Sequence, residues 1–195
     1  EKLTPNYHCI ALDMLGFGYS DKPVQSYSIN QQADIIAALM LQRAITRCHI
    51  VSHDYGDTVA QELLARHKES TLTFDIKSVT LLNGGLFPES HRPLLSQKLL
   101  MSAVGSIIVQ FFTKRTLAKN FRSIFGPNTP PSRTEIEQFW QLITRNNGRQ
   151  VIPKLIRYID ERRVHRTRWV NALQETEIPL LLINGLSDPI SGAHL

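Results

Sequence analysis

The chain has 195 residues, 42% of them apolar and 20% charged, and a chain of this length can bury a core without disulfides or metals. This composition excludes collagen-like, coiled-coil and disordered polymers, and a total of two cysteines excludes a disulfide scaffold. The net charge of +5 leaves nucleic acid and anionic membranes open as partners. No apolar run reaches the roughly 20 residues of a membrane-spanning helix.

Patterns typical of strands and helices alternate along the chain. Short apolar runs predict four buried strands, at residues 7–13, 48–52, 77–82 and 178–184. Apolar periodicity predicts helices at residues 29–43, where Ser28 can cap the first turn, and at residues 57–68. This alternation indicates an α/β fold with a mostly parallel sheet flanked by helices.

The stretch between the third and fourth predicted strands has a different character. It contains no convincing strand, and a proline-rich break at Pro127, Pro130 and Pro131 separates two helix-like halves. We therefore predict a helical cap inserted between two strands of the sheet. The predicted organisation is a core at residues 1–85, the helical cap at residues 86–177, and a further core strand with an acid-bearing turn at residues 178–195.

Basic residues concentrate late in the predicted cap. Residues 145–168 contain eight Lys/Arg and two acids, with Tyr158 and Trp169 as the aromatic residues beside them. A nucleic-acid binder would interleave such charge with groove-reading or stacking motifs, so no nucleic-acid partner is expected. The pattern predicts a solvated helical face on which Tyr158 would snorkel. A patch for a membrane surface or an acidic partner is the alternative.

The turn around Asp54 is the most informative stretch. A predicted strand runs into a turn and then into a helix without a loop, and two small residues, Ser52 and Gly56, flank the turn. This context is typical of a nucleophile elbow, whose tight turn requires small neighbours and points the side chain at its tip into a pocket. The backbone N–H of Tyr55 would then lie at a helix N-terminus, where it can stabilise an anion.

A carboxylate at the tip of such a turn predicts covalent chemistry. Once desolvated and aligned, Asp54 could attack an sp3 carbon that carries a strained or good leaving group. The product would be an alkyl ester on Asp54, which water activated by a base would then hydrolyse. The alternative interpretation is that Asp54 only caps the following helix.

A second acid, Asp188, follows the last predicted strand after a short turn. An acid at the carboxyl end of a parallel strand points toward the crevice where ligands bind, and there it could orient a histidine base. A plain turn aspartate before Pro189 is equally compatible with the sequence. No metal and no cofactor are expected, because metal-ligand spacing is missing from the two His/Cys pairs, His8–Cys9 and Cys48–His49.

Four segments together resemble the α/β-hydrolase family: ALDMLGFGYSDKP at residues 11–23, SHDYG at 52–56, NGG at 83–85 and GLSDP at 185–189. The aspartate in SHDYG narrows the resemblance to the branch of epoxide hydrolases and haloalkane dehalogenases. The resemblance implies that Asp54 is the nucleophile, that Asp188 is the charge-relay acid, and that Tyr158 hydrogen-bonds and protonates an epoxide oxygen. Apolar cap residues, among them Phe111 and Phe112, favour a hydrophobic substrate.

The resemblance implies a hydrolase that acts on a hydrophobic small-molecule or lipid-like substrate, such as an epoxide, through an alkyl-enzyme ester. The alternative is a catalytically inactive relative that acts as a binding or scaffold protein, because the early cap offers no second tyrosine. The family's His-Gly-x-Pro loop and catalytic histidine have no match in the sequence. We therefore expect an incomplete fold, without the early strands and the last strand, that is inactive by itself. Similar proteins associate with the endoplasmic reticulum membrane through an N-terminal hydrophobic segment, which implies the same location here.

Overall fold

The computed structural model describes residues 2–90, 93–188 and 191–193. The strands are β1 (Arg47–His53), β2 (Asp75–Leu82) and β3 (Leu180–Ile183). The helices are α1 (Ile29–Gln42), α2 (Tyr55–Lys68), α3 (Leu95–Met101), α4 (Gly105–Ile108), α5 (Lys114–Ile124), α6 (Arg133–Thr144), α7 (Ile152–Leu155), α8 (Tyr158–Val164) and α9 (Arg166–Gln174). Short 3₁₀ segments lie at Val109–Phe111 and Arg145–Val151. Within these described ranges, no helix has the length and apolar character needed to cross a bilayer.

A parallel sheet organises the fold. β1 pairs with β2 and β2 pairs with β3, both in parallel, so the order is β1–β2–β3. The register places Ser52 beside Leu81 and Leu81 beside Leu182, so the carboxyl ends of the three strands lie at one edge. Helix α2 packs against β1 and β2, and α1 and α9 pack against α2. The predicted α/β fold with a parallel sheet flanked by helices is confirmed.

The strand predicted at residues 7–13 is wrong. These residues are irregular and all exposed, although the ring of Tyr7 packs edge-on against His49 of β1 with centroids 5.7 Å apart. A strand needs a neighbour that satisfies its backbone N–H and C=O groups. In the described part of the chain, β1 pairs with β2 alone, so no ladder reaches residues 7–13.

The predicted burial of the outer strands is also wrong. All four side chains of β3 are exposed, and Val51 of β1 is 61% exposed. An apolar run becomes a buried strand only where helices or other strands cover it. Both β1 and β3 lie at the edges of the described sheet, and the main contacts of β3 are with β2.

Helix α1 begins with two acceptors at its N-terminus. As the sequence predicted, Ser28 Oγ accepts a hydrogen bond from the N–H of Gln31 at 3.1 Å. Glu161 of α8 accepts a second one from the N–H of Ile29 at 2.9 Å. These bonds satisfy backbone donors that the start of a helix leaves open. The second bond also ties α8 to the core.

Helix α2 is the most buried helix of the described chain. Every residue from 55 to 65 is buried, so α2 is buried on all sides over its first three turns. Its apolar side chains join those of β2 in the main core, which includes Val59, Ala60, Leu63, Leu64, Ile76, Val79 and Leu81. The helix begins at residue 55, two residues earlier than predicted, so its first turn directly follows Asp54.

Glu62 joins α2 to α9 through a buried carboxylate. Its side chain is almost fully buried and accepts hydrogen bonds from Trp169 Nε1 at 2.7 Å, Arg168 Nε at 2.9 Å and Arg66 Nε at 2.8 Å. Burial alone would raise the pKa of this carboxyl, but the three donors outweigh burial and hold the pKa of Glu62 below its ordinary value. The two helices therefore meet at the carboxylate of Glu62, whose charge is compensated by hydrogen bonds from both of them.

The solvated basic face predicted at residues 145–168 is wrong for Arg162, whereas Arg166 stays exposed and Arg168 partly exposed while each pairs with an acid. Arg162 is buried. Arg168 pairs with Glu62, and Arg166 pairs with Glu89 in the loop after β2. These acidic partners are far away in sequence, so local composition could not reveal that part of the basic charge is paired within the fold.

Glu62→Ala is expected to lower the free energy of unfolding by about 3 kcal/mol, because it leaves the indole N–H of Trp169 and the Nε of Arg168 without their acceptor. Urea denaturation followed by circular dichroism measures the change. The matched control is Glu175→Ala, which removes an exposed pairing with Lys68 and should cost less than about 1 kcal/mol. Equal losses in the two variants would contradict the role given to Glu62.

Candidate functional site

Asp54 is the single residue between β1 and α2. Its backbone has φ 49° and ψ −106°, a sparsely populated conformation that costs a residue other than glycine about 1–3 kcal/mol. Its N–H donates to the carbonyl oxygen of Leu82 at 3.1 Å, so β2 holds the turn in place. The side chain is exposed and makes no capping hydrogen bond to α2. The helix-cap interpretation of Asp54 is therefore wrong.

The sequence predicted that the turn requires a small residue at position 56, but the structure requires one at position 84 instead. A Cβ added at Gly56 would lie 3.4 Å from Met14 Cε and 3.6 Å from Ser52 Cβ, which are ordinary contacts. The turn therefore has room for a methyl group at position 56. A Cβ at Gly84 would instead collide with the carboxyl group of Asp57, so the glycine after β2 is the one that the packing requires.

Tyr158, the first residue of α8, reaches Asp54 from the helical segment. Its hydroxyl donates a hydrogen bond to Asp54 Oδ1 at 3.1 Å. The residue is 7% exposed, so the prediction that Tyr158 snorkels on a solvated face is wrong. Burial, followed by the negative charge of Asp54, raises the pKa of Tyr158. The phenol is thus a protonated donor held against a carboxylate.

Tyr55 follows Asp54 as the first residue of α2. Its N–H belongs to the group of donors that a helix start leaves without intrahelical partners. Its side chain is buried, with ring centroids 5.0 Å from Phe17 and 4.8 Å from Tyr158, and burial raises the pKa of its hydroxyl. The phenol of Tyr55 therefore packs beside Tyr158. The oxyanion role of the Tyr55 N–H stays a prediction.

Asp188 follows β3, and Asn83 holds it in place. Asn83 Nδ2 donates to Asp188 Oδ2 at 2.8 Å, and Asn83 Oδ1 accepts from the N–H of Gly185 at 3.1 Å. The N–H of Ser191 donates to Asp188 Oδ1 at 3.0 Å. The family resemblance included Asn83 only as part of the NGG segment and gave it no role at the site; because its partner Asp188 lies 105 positions away, no local pattern signalled the contact. Pro189, on which the turn interpretation of Asp188 rests, lies outside the described residues.

The ends of the three strands bring these groups to one edge of the sheet. Asp54 follows β1, Asn83 follows β2, and Asp188 follows β3 after a short turn. Ligands of α/β proteins bind at this edge, and Tyr158 is added there from α8. The arrangement combines an exposed carboxylate, a phenol donor on one of its oxygens, and a second carboxylate fixed by an amide.

Across residues 2–90, 93–188 and 191–193, no group of three or more His, Cys, Asp or Glu side chains is placed to hold a metal ion. Both cysteines, Cys9 and Cys48, are free thiols.

The two predicted pocket residues lie just before α5. Phe111 is 77% exposed, and the half-buried ring of Phe112 lies 6.0 Å from that of Trp140. None of the ring contacts in the described part of the chain joins either phenylalanine to Tyr158. Their place in a substrate pocket stays a prediction.

Asp57 is a fully buried acid beneath the turn. Its Oδ1 accepts hydrogen bonds from Ser52 Oγ at 2.5 Å and from the N–H of Leu82 at 3.4 Å. Its Oδ2 has no hydrogen-bond partner among the described residues. Burial raises the pKa of Asp57 to about 6, the charge on Asp54 adds to this effect, and the two hydrogen bonds oppose it.

Known proteins share this fold. A family profile described as alpha/beta hydrolase fold matches residues 1–194. The mesoderm-specific transcript homolog protein of Bos taurus is 45% identical over 201 residues, which cover 98% of this chain and 59% of that protein. A haloalkane dehalogenase of Bradyrhizobium diazoefficiens is 36% identical over 67 residues, which cover 34% of this chain and 22% of that protein. The crystal structure of the haloalkane dehalogenase DbeA from Bradyrhizobium elkani aligns with a TM-score of 0.71 and 19% identity over 91% of this chain and 64% of its own.

Asp57 predicts a pH dependence of stability with a defined sign. An ordinary aspartate titrates near 3.8, whereas the pKa of Asp57 in the folded protein is about 6, so between these values the folded state binds more protons. The contribution of Asp57 to stability should therefore fall as the pH rises from about 4 to about 6 and stay low above it.

Asp57→Asn should remove this dependence and raise the free energy of unfolding at pH 7 by about 2 kcal/mol relative to the unchanged protein. Urea denaturation at pH 4, 5, 6 and 7 measures the difference between the two proteins, in which the other titrating groups cancel. Asp160→Asn, at an exposed partner of Arg163, is the control and should leave the pH dependence unchanged. A difference that is constant from pH 4 to pH 7 would contradict the titration of Asp57 in this window.

Proposed function

This chain belongs to the α/β-hydrolase family, and from that premise we propose that the protein hydrolyses its substrate through an alkyl ester on Asp54. The proposed substrate is a hydrophobic small molecule or lipid-like molecule with a strained C–O bond, as in an epoxide. The chain spans 59% of the length of its bovine relative, so the proposal is made for the whole protein.

The contact between Tyr158 and Asp54 carries the proposal. A phenol that hydrogen-bonds to a carboxylate lies close to any substrate that the carboxylate attacks. It can therefore stabilise the leaving oxygen while the carboxylate attacks the neighbouring carbon. An alkoxide needs a proton to leave, whereas a halide does not. The Tyr158 hydroxyl, 3.1 Å from Asp54 Oδ1, therefore supports an epoxide-like substrate. It gives no comparable support to a haloalkane, the substrate class in the names of the dehalogenases that share the fold.

The first step uses groups that lie together at the strand edge. The oxygen of Asp54 that does not accept from Tyr158 attacks the sp3 carbon, the C–O bond breaks, and its electron pair moves to the substrate oxygen. Tyr158 donates its proton to that oxygen. The turn supports this step because its backbone conformation leaves the Asp54 side chain exposed and without a capping bond to α2.

A second step has to free Asp54. A base takes a proton from water, which attacks the ester carbonyl, and the N–H of Tyr55 is proposed to stabilise the oxyanion from the start of α2. The bond between the carbonyl carbon and the product oxygen then breaks, and that oxygen takes the proton from the base and leaves as an alcohol. Asp188 is proposed to orient and charge-balance a histidine base, and its hydrogen bond to Asn83 supports a fixed position for it. Phe111 and Phe112 are proposed to line the apolar substrate pocket.

An inactive relative that binds or scaffolds is the second candidate. It is favoured by one observation: in the described part of the chain, Tyr158 is the one tyrosine that donates to Asp54. The backbone conformation of Asp54 argues against it, because a protein without chemistry at this position would gain stability by relaxing that conformation.

The proposed location is the endoplasmic reticulum membrane, and its support is the family resemblance. Attachment is proposed through a hydrophobic segment other than the described helices, none of which could span a bilayer. No nucleic-acid partner is proposed.

Fractionation of cells that make the tagged whole protein should place it with endoplasmic reticulum membranes, and alkaline carbonate should not extract it. Recovery in the soluble fraction would contradict this location.

Isotope labelling tests the proposed mechanism. The intact protein, in excess over an epoxide and in ¹⁸O-labelled water, should incorporate the label into the carboxylate of Asp54, because water attacks the ester carbonyl and not the substrate carbon. Peptide mass spectrometry locates the label. Asp54→Asn, whose side chain tolerates a positive φ, should form no ester and should lower hydrolysis by roughly 10⁴-fold.

Two outcomes would overturn the mechanism in different ways. Hydrolysis that labels the product but not Asp54 would replace the ester with direct attack by water. The absence of both hydrolysis and ester formation with a panel of epoxides and alkyl bromides would favour the inactive relative.

A further inference from the structure

Arg162 is a buried cation that has no carboxylate partner among the described residues. The residue is 2% exposed, and its Nε donates a hydrogen bond to Thr58 Oγ1 at 2.8 Å. Both terminal nitrogens are buried and have no hydrogen-bond partner among the described residues. Such a group costs stability, because burial removes the water that would solvate a guanidinium. Fold stability alone therefore does not account for Arg162.

The guanidinium lies over the ring that carries the proton donor. Its central carbon is 4.5 Å from the centroid of the Tyr158 ring, four residues earlier on α8. Its anchor, Thr58, is on the first turns of α2, four residues after Asp54. Arg162 thus bridges α2, which begins directly after Asp54, and the side chain that donates to Asp54.

We propose that Arg162 is a positioning residue for Tyr158: it holds the phenol against Asp54 and strengthens its hydroxyl as a proton donor while the ester forms. This inference rests on the proposed function. A cation over an aromatic face is attracted to the ring and fixes its orientation. Its positive charge also favours the phenolate that remains after proton transfer.

During the first step, the charges around Tyr158 change in a way that favours the release of its proton. In the free protein, burial and the negative charge of Asp54 raise the pKa of Tyr158, and Arg162 opposes them. When the carboxylate of Asp54 becomes a neutral ester, its repulsion of a phenolate disappears while the charge of Arg162 remains. The proton moves from Tyr158 to the alkoxide, the product oxygen becomes a hydroxyl, and solvent water reprotonates the phenolate.

Two alkylating substrates separate proton donation from simple structural support. An epoxide needs the proton of Tyr158, whereas an alkyl bromide forms the same type of ester on Asp54 and releases bromide without a proton. Rates of ester formation are measured with the intact protein in excess, by rapid quenching and mass spectrometry of the Asp54 peptide. Substrate affinity is obtained from the concentration dependence of each rate.

Arg162→Met should slow ester formation from the epoxide by about 10- to 100-fold and leave the rate with the bromide within about threefold. Arg162→Lys, which keeps the charge, should recover part of the epoxide rate. The matched control is Arg163→Met, next in the chain, whose side chain is exposed and pairs with Asp160; it should change neither rate. In a Tyr158→Phe background, Arg162→Met should cause no further loss, because it acts through the phenol.

Three results would overturn the inference while leaving the proposed function intact. They are an equal loss with both substrates in Arg162→Met, a loss with the epoxide no larger than that of Arg163→Met, and a full additional loss in the Tyr158→Phe background. An unchanged protein that forms no ester with either substrate would overturn the proposed function first, and this inference with it.

Discussion

The turn between β1 and α2 is the constraint on which the rest of the site depends. One residue, Asp54, takes the chain from strand to helix at φ 49°, and this conformation persists because both sides of it are fixed. Leu82 of β2 accepts its N–H, and α2 is buried from its first residue. A shift of α2 by one residue would expose core side chains, so the burial of the helix stabilises the strained turn.

Polar contacts carry this constraint into the helical segment above the sheet. Glu62 of α2 accepts from Trp169 of α9, and Thr58 of α2 accepts from Arg162 of α8. Hydrogen bonds are directional, so they define the position of α8 and α9 more closely than apolar packing alone. The same helix that presents Asp54 therefore also determines where Tyr158 meets it.

The features that the sequence predicted correctly are those that depend on residues close together in the chain. The turn at Asp54, the parallel alternation of strands and helices, and the position of Asp188 after a strand all follow from local patterns. The hydrogen bond from Asn83 to Asp188 joins residues 105 positions apart, and the one from Trp169 to Glu62 joins residues 107 apart. One sequence contains no signal for such pairings. The predicted strand at residues 7–13 was wrong for a related reason, since an apolar run does not reveal whether a partner strand lies beside it.

Asp57 and Gly84 connect the turn to the second acid. Because a Cβ at Gly84 would collide with the Asp57 carboxyl, the chain after β2 has to pass close over the first turn of α2. That path leaves Asn83 at φ 48°, with its amide between Asp188 and the N–H of Gly185. A charged Asp57 destabilises the fold above its pKa of about 6, yet an apolar side chain at position 57 would leave the Ser52 hydroxyl with only the carbonyl oxygen of Thr80, 3.4 Å away, as an acceptor. The buried acid thus lowers stability at neutral pH and, in the same position, keeps the ends of β1 and β2 in the arrangement that the site requires.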